Sequence, residues 1–459
     1  MRHCKGASTN SGLVAAIFFL LGMGTLLPWN FFITAMNYFT GRLNGTSCTN
    51  GTEQADSDPY MFNNLSVLIA QLPLLLFTFL NSFLYQHIAE KVRIAGSMVF
   101  ILLLFILTAS LVKVEMTLDH FFSITMATIW FINMFGAVLQ GSLFGLVSKL
   151  PPRYNSLFMS GQAVAGIFSG IAMLLSNILE TDSESSALGY FITPCVATLI
   201  TLCCYLILPH LSFARLYLES GPTDKAETRK EPLTNNCESV TLVNVKLNDE
   251  SGLEANGKAV FTESDSESCN KLDEHKQEPT EEKSTVPQVF EKIWVMASCV
   301  TCVFAVTLSV FPAITVNTKP KGFFEGKDKI FVPLCSFIVF NVMDWIGRSL
   351  TSRIQWPSKQ SWLFPLFVLL RVVFIPALML CNVQPRIYLP VLFDHDMAYL
   401  VFMSLFAMTS GYFACLSMSY ASQLVKPKDA ETAGALMTFF LALGLSLGAA
   451  FSFVLKKMV

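Results

Sequence analysis

Three residues within one apolar stretch could act on a solute together: Asn341, Asp344 and Arg348 of Asn341-Val-Met-Asp344-Trp-Ile-Gly-Arg348. Asp344 and Arg348 stand at i and i+4, and Asn341 three residues before the acid. A helix therefore brings all three to one face, about one turn apart. A carboxylate accepts hydrogen bonds, a guanidinium donates them and an amide does both. Such a stripe suits a solute rich in hydroxyls, a ribose for example, and binds it without covalent chemistry. Charges inside an apolar layer usually face a bundle interior or a wet cavity. The competing arrangement is interfacial: Arg348 snorkels to the layer's edge and Asp344 merely neutralises it. Arg371, in the next apolar stretch, has no acid near it in its own segment. It pairs with another helix or anchors at an interface.

Two further segments carry polar groups where apolar ones are expected. In Gly22-Met-Gly24-Thr-Leu-Leu-Pro28-Trp29-Asn30-Phe31-Phe32, Pro28 removes a backbone hydrogen bond, which membrane helices tolerate when neighbours re-satisfy it. A kink there would turn the flat Trp29 ring and the Asn30 amide into a cavity; alternatively Trp29 belongs to an aromatic belt at the interface. In Gly136-Ala-Val-Leu-Gln140-Gly141-Ser-Leu-Phe-Gly145, Gly141 and Gly145 form a close-packing face. Gln140 then bonds either the edge of a ring ligand or another helix. Gly166 with Gly170, and Gly444 with Gly448, repeat the spacing and read as packing.

Nothing points to an enzyme. A phosphate-cradling G-x-x-x-x-G-K-[ST] loop is missing, so ATP-driven transport has no engine. H-E-x-x-H is missing too, and the 6 histidines are scattered. No cofactor or metal is expected. Of the 12 cysteines, Cys195, Cys203, Cys204, Cys299, Cys302, Cys335 and Cys415 lie in apolar runs, where thiols act as small hydrophobes. The Cys299/Cys302 C-x-x-C lacks a second ligand pair and reads as helix core.

The elements that must position these residues are membrane helices. Only 14% of residues are charged, against about 25% in soluble proteins, and 53% are hydrophobic with 40 Phe. A net charge of -2 lacks the basic footprint of a nucleic-acid binder. A span needs about 20 mostly apolar residues. That rule gives eleven: 12–37, 64–87, 92–113, 120–147, 156–179, 187–210, 290–314, 330–352, 361–382, 396–420 and 431–455. Residues 212–287 lose every apolar run and fill with Glu, Asp, Ser, Thr and Lys, a composition that resists ordering. The chain thus divides into a six-helix half (1–211), an acidic cytoplasmic loop (212–287) and a five-helix half (288–459). In the loop, Thr262-Glu-Ser-Asp-Ser-Glu-Ser268 suits an acidophilic kinase or stays an unmodified linker.

Orientation follows the Lys/Arg bias of short loops. With a cytoplasmic N-terminus, Arg2, Lys5, Lys91, Arg93, Lys149 and Arg153 lie inside, and Arg42 and Lys113 outside. The second half does not help, since Lys319, Lys321, Lys327, Lys329, Lys456 and Lys457 would lie outside. The first loop decides it with sequons at Asn44 and Asn50, useful only on the outer side. Eleven spans then leave the C-terminus extracellular.

Four separated motifs resemble the equilibrative nucleoside transporters: Gly24-Thr-Leu-Leu-Pro-Trp-Asn-Phe-Phe32, Leu139-Gln-Gly-Ser-Leu-Phe-Gly145, Asp344-Trp-Ile-Gly-Arg-Ser-Leu350 and Glu431-Thr-Ala-Gly-Ala435. The resemblance implies an all-α, major-facilitator-like arrangement of six plus five helices that rock about a midplane site. It implies ribose contacts at Asp344 and Arg348 and a base contact at Gln140. Leu26, Trp29, Leu74, Gly136, Phe337, Asn341 and Leu445 would line the remaining cavity, with Asn30 beside Trp29. Leu308-Ser-Val-Phe-Pro-Ala-Ile-Thr315 and Ala187-Leu-Gly-Tyr-Phe-Ile-Thr-Pro194 look closest to the branch that also carries nucleobases. The short N-terminus lacks an acidic dileucine signal, which favours the plasma membrane. The expected function is facilitated diffusion of purine and pyrimidine nucleosides. A proton-coupled carrier of nucleosides or another small polar solute is the alternative.

Overall fold

The computed structural model describes residues 2–34, 39, 42–43, 62–84, 88–114, 116–179, 183–211, 215, 284–384, 386 and 388–459. The sequons at Asn44 and Asn50, the run 262–268 and most of the acidic segment lie outside the described residues.

Apolar, weakly charged runs form helices because only a helix satisfies its own backbone in lipid without closing a barrel. In chain order these are α1 (Arg2–Thr34), α2 (Phe62–Leu84), α3 (Glu90–Leu111), α4 (Leu118–Ser148), α5 (Pro152–Leu179) and α6 (Ser183–Ile207). After the gap come α7 (Val286–Val310), α8 (328–350), α9 (Leu363–Met379), α10 (Asp396–Gln423) and α11 (Ala430–Met458). By length and composition, eight helices are long and apolar enough to cross a membrane. α2 and α9 hold the shorter apolar runs Leu68–Phe83 and Leu363–Met379. α8 carries Asp344 and Arg348 in its body. Length and apolarity alone thus establish eight of the eleven expected spans.

Two helices depart from a uniform α pattern. α8 joins Asp328–Phe331 to Val339–Leu350 through a π-helical stretch, Val332–Ile338. α9 tightens at Arg371–Val373 between Leu363–Leu370 and Phe374–Met379. Hydropathy does not register either change, because it carries no record of hydrogen-bond pattern.

Exposure is inverted relative to a soluble protein. Leu103, Leu369, Leu370 and Phe453 face outward, while Ser336, Ser417, Thr351 and Arg371 are buried. Within the bundle, α1 packs along α5, α2 and α3 along α4, α7 along α11, and α8 along α10. Between the two sets, α11 lies against α2 and α4, and α8 against α5. The α1–α5 approach depends on glycine. A Cβ at Gly22 would stand 1.9 Å from the Phe158 carbonyl oxygen, and one at Gly161 2.0 Å from that of Phe19. Any side chain there would push the two helices apart, so they form one unit.

Candidate functional site

α8 turns its charged face inward. Phe340, Asp344, Gly347 and Arg348 are buried, whereas Trp345, Ile346 and Leu350 are exposed. The snorkelling arrangement is therefore not the one adopted. Arg348 Nε donates to Asp344 Oδ2 at 2.7 Å, and Nη1 donates to the Met159 carbonyl (3.1 Å) and to Gln162 Oε1 (3.3 Å) on α5. Among the described residues, Asp344 Oδ1 and Arg348 Nη2 make no hydrogen bond. Both residues line a cavity of about 290 Å³. The acid sits this deep because Gly411 on α10 lets α8 close in: a Cβ there would meet the Asp344 carbonyl oxygen at 2.1 Å.

All the residues expected to touch a solute line this one cavity: Leu26, Trp29 and Asn30 from α1, Leu74 from α2, Gly136 and Gln140 from α4, Phe337, Asn341, Asp344 and Arg348 from α8, and Leu445 from α11. Trp29 stacks on Phe32, with centroids 6.0 Å apart and planes within 4°. That contact fixes the indole at the cavity wall. Gln140 is 8% exposed and, among the described residues, makes no hydrogen bond. Its amide remains open to the cavity. Asn341 Nδ2 donates to the Phe337 carbonyl at 2.9 Å. The space around Gly136 is open, with nothing within 4 Å of where a Cβ would lie. The wall is mainly apolar, with a few convergent polar groups, as in small-molecule sites generally. Among the described residues, Asp344 and Arg348 are the ionisable side chains in its lining.

Several lining residues have no sequence signal. Thr25, Asn133, Gln162, Thr307 and Ser410 join the cavity wall as ordinary helix hydroxyls and amides. Arg371 settles as a partner of other helices. Its nitrogens donate to Thr409 Oγ1 (3.2 Å), the Val303 carbonyl (3.0 Å), Thr307 Oγ1 (3.0 Å) and the Phe406 carbonyl (3.3 Å). The G-x-S-x-G pattern at Gly444–Gly448 lies inside α11, where Ser446 donates to the Ala442 carbonyl at 2.9 Å. It is helix interior, not the strand-to-helix elbow that exposes a nucleophile.

One end of the cavity is tied shut. Glu431, at the start of α11, meets Arg93 of α3 at 3.3 Å and Lys149, just past α4, at 2.8 Å, and Lys149 also meets Glu90 at 3.0 Å. Burial works against the Lys149 ammonium, but Glu90 and Glu431 together hold its pKa above the ordinary lysine range. Arg93, expected as a loop charge marking the inner side, is buried here, because Glu431 offsets its charge. Hydroxyl and amide pairs extend the closure: Ser156–Thr351 (3.1 Å), Ser160–Ser349 (3.2 Å) and Asn155–Ser419 (2.8 Å). Trp29, Asn30, Ile33, Phe311 and Pro312 line the cavity toward its other end.

A family profile described as "Nucleoside transporter" matches residues 126–457. The chain is 49% identical to equilibrative nucleoside transporter 2 of Rattus norvegicus over 468 residues and the whole of both chains. Identity to equilibrative nucleoside transporter 2 of Homo sapiens is 50%, over 97% of each chain. For equilibrative nucleoside transporter 1 of Homo sapiens it is 43%, over 96% of each. Among solved structures, the major facilitator superfamily proton:xylose symporter XylE, bound to 6-bromo-6-deoxy-D-glucose, superposes with a TM-score of 0.58 at 10% identity. That match covers 99% of this chain and 90% of that one. It shows the fold.

Proposed function

The chain belongs to the equilibrative nucleoside transporter family, and from that premise we propose that it carries purine and pyrimidine nucleosides down their gradients by docking ribose on Asp344 and Arg348. The observation that carries this reading is the pair of open valences on one ion pair: an acceptor at Asp344 Oδ1 and a donor at Arg348 Nη2. Neighbouring ribose hydroxyls match them, one donating to the carboxylate and the next accepting from the guanidinium. The base then packs on Trp29, and Gln140 addresses its edge. Leu26, Leu74, Phe337 and Leu445 supply the apolar wall, Asn30 and Asn341 its further polar groups, and the gap at Gly136 gives width.

Transport follows if 1–211 and 288–459 rock against each other around this site. Reaching the far side requires breaking the ties of Glu431 to Arg93 and Lys149 and the hydroxyl pairs beneath the cavity. Asp344 is already matched by Arg348, and among the described residues the lining holds no further acid or histidine to take up a proton. The solute gradient is therefore the driving force. Nucleobases, lacking ribose, would use the Trp29 and Gln140 side alone. We place the protein in the plasma membrane, multi-pass, with a cytoplasmic N-terminus and an extracellular C-terminus. Glycosylation falls at Asn44 and Asn50, and a kinase acts on 262–268.

Purified protein in proteoliposomes, given radiolabelled uridine and hypoxanthine with and without a pH gradient, tests this directly. Saturable uridine uptake that stops at equal concentrations and ignores the pH gradient is expected. Accumulation driven by protons would establish the coupled carrier instead.

A further inference from the structure

Gln162 on α5 is 3% exposed and lines the cavity beside Arg348. Its amide is used at both ends. Arg348 Nη1 donates to Gln162 Oε1 at 3.3 Å, and Gln162 Nε2 donates to Thr25 Oγ1 of α1 at 3.1 Å. A guanidinium only donates, so the amide's orientation is dictated by its neighbour. The Thr25 hydroxyl spends its own proton on the Gly22 carbonyl, 2.7 Å away, leaving a lone pair for Gln162. A continuous chain thus runs from Asp344 through Arg348 and Gln162 to α1.

This chain is the innermost rung of a ladder between α5 and α8. Ser156–Thr351 and Ser160–Ser349 are the outer rungs, and the bonds of Arg348 to the Met159 carbonyl and to Gln162 are the inner ones. Only the inner rungs contain a charge, and only they touch the cavity. α5 and α1 move together because of their glycine contact, so whatever releases Gln162 from Arg348 loosens both helices from α8. The guanidinium is a rigid plane, so a ribose hydroxyl that draws Nη2 toward itself moves Nη1 with it, away from Gln162 and the Met159 carbonyl.

We infer that Gln162 is a latch: it holds the empty carrier closed at this end, and a solute at Arg348 weakens that hold. This rests on the reading of Arg348 as a ribose contact. Gln162 is a positioning residue, acting on the substrate through Arg348. A latch that solute releases makes the loaded carrier reorient faster than the empty one. Labelled uridine uptake is then faster into vesicles preloaded with unlabelled uridine than into empty ones.

Wild type, Gln162→Leu and Gln162→Glu are purified, reconstituted, and compared by the ratio of preloaded to empty-vesicle uptake. Gln162→Leu removes both bonds and should bring the wild-type ratio down to near one. Gln162→Glu keeps the shape but turns the rung, already charge-assisted from the arginine side, into an ion pair. Its empty-vesicle uptake should fall about tenfold, the scale of a hydrogen bond to a charged group, while its ratio rises. Loss of packing alone would lower both fluxes together and leave the ratio unmoved. A wild-type ratio of one, or wild-type ratios in whichever variants reconstitute, overturns the latch. Absence of uridine uptake by wild type would instead overturn the nucleoside reading itself.

Discussion

Two arginines lie buried in the second set of helices, and they are built to different ends. Arg371 is 2% exposed and Arg348 7%. Every nitrogen of Arg371 is engaged by carbonyls and hydroxyls of α7 and α10, and its guanidinium sits 5.4 Å from the centre of the Phe406 ring. Among the described residues no carboxylate pairs with it. Arg348 has its carboxylate and lines the cavity, but its Nη2 makes no hydrogen bond among the described residues. A buried cation whose donors are all satisfied within the protein is a fastener between helices. One left short of a partner beside a hollow is a binding group, since a buried donor gains most from the partner it lacks. Depth in the membrane therefore does not distinguish the two roles; unfilled valence does.

Perturbing each region should separate them. Asp344→Asn leaves Arg348 buried without its counter-charge and leaves one carbonyl oxygen where Arg348 and ribose had two to accept from. Uridine uptake per reconstituted molecule should fall about a hundredfold, on the scale of breaking a buried ion pair. Wild-type flux in that variant would erase the distinction drawn between the arginines. Gly136→Leu sharpens it from another wall, since a Cβ there meets nothing within 4 Å and the side chain beyond it takes up cavity space. Uptake should drop about tenfold, because overfilling a fitted space costs roughly 1–3 kcal/mol, while thermal unfolding stays at the wild-type temperature. Arg371→Met should have the smallest effect on flux, less than about threefold per folded molecule. Its cost appears instead as lower thermal stability, by about 1–3 kcal/mol for buried partners left unpaired. A flux loss matching that of Asp344→Asn would place Arg371 in the site.

The sequence makes the ion pair legible because two opposite charges four residues apart in an apolar run can share only one face. That face has somewhere to go only if the bundle is hollow. Trp29, Gln140 and Asn341 are legible for a similar reason, as polar or amphipathic groups in runs that otherwise suit lipid. Gln162 and Thr25 are not, because a single amide or hydroxyl on a helix is ordinary and gains meaning only from the helix opposite. Arg93 misleads for the same cause. At a helix start it looks like a loop charge, and Glu431, which draws it inward, lies 338 positions away. The helices themselves follow from hydropathy, but the π stretch at Val332–Ile338 and the tightened turn at Arg371–Val373 do not. α8 shows the limit of apolarity as a guide. The helix that carries the site is not among the eight, because the π stretch leaves only 12 residues, Val339–Leu350, in its regular α part.

The central claim is tested most directly by uridine uptake through Arg348→Ala and Arg371→Met, each purified and reconstituted at equal protein. Uptake at background for Arg348→Ala, beside flux near wild type for Arg371→Met, is the predicted result. Wild-type uptake through Arg348→Ala would contradict it.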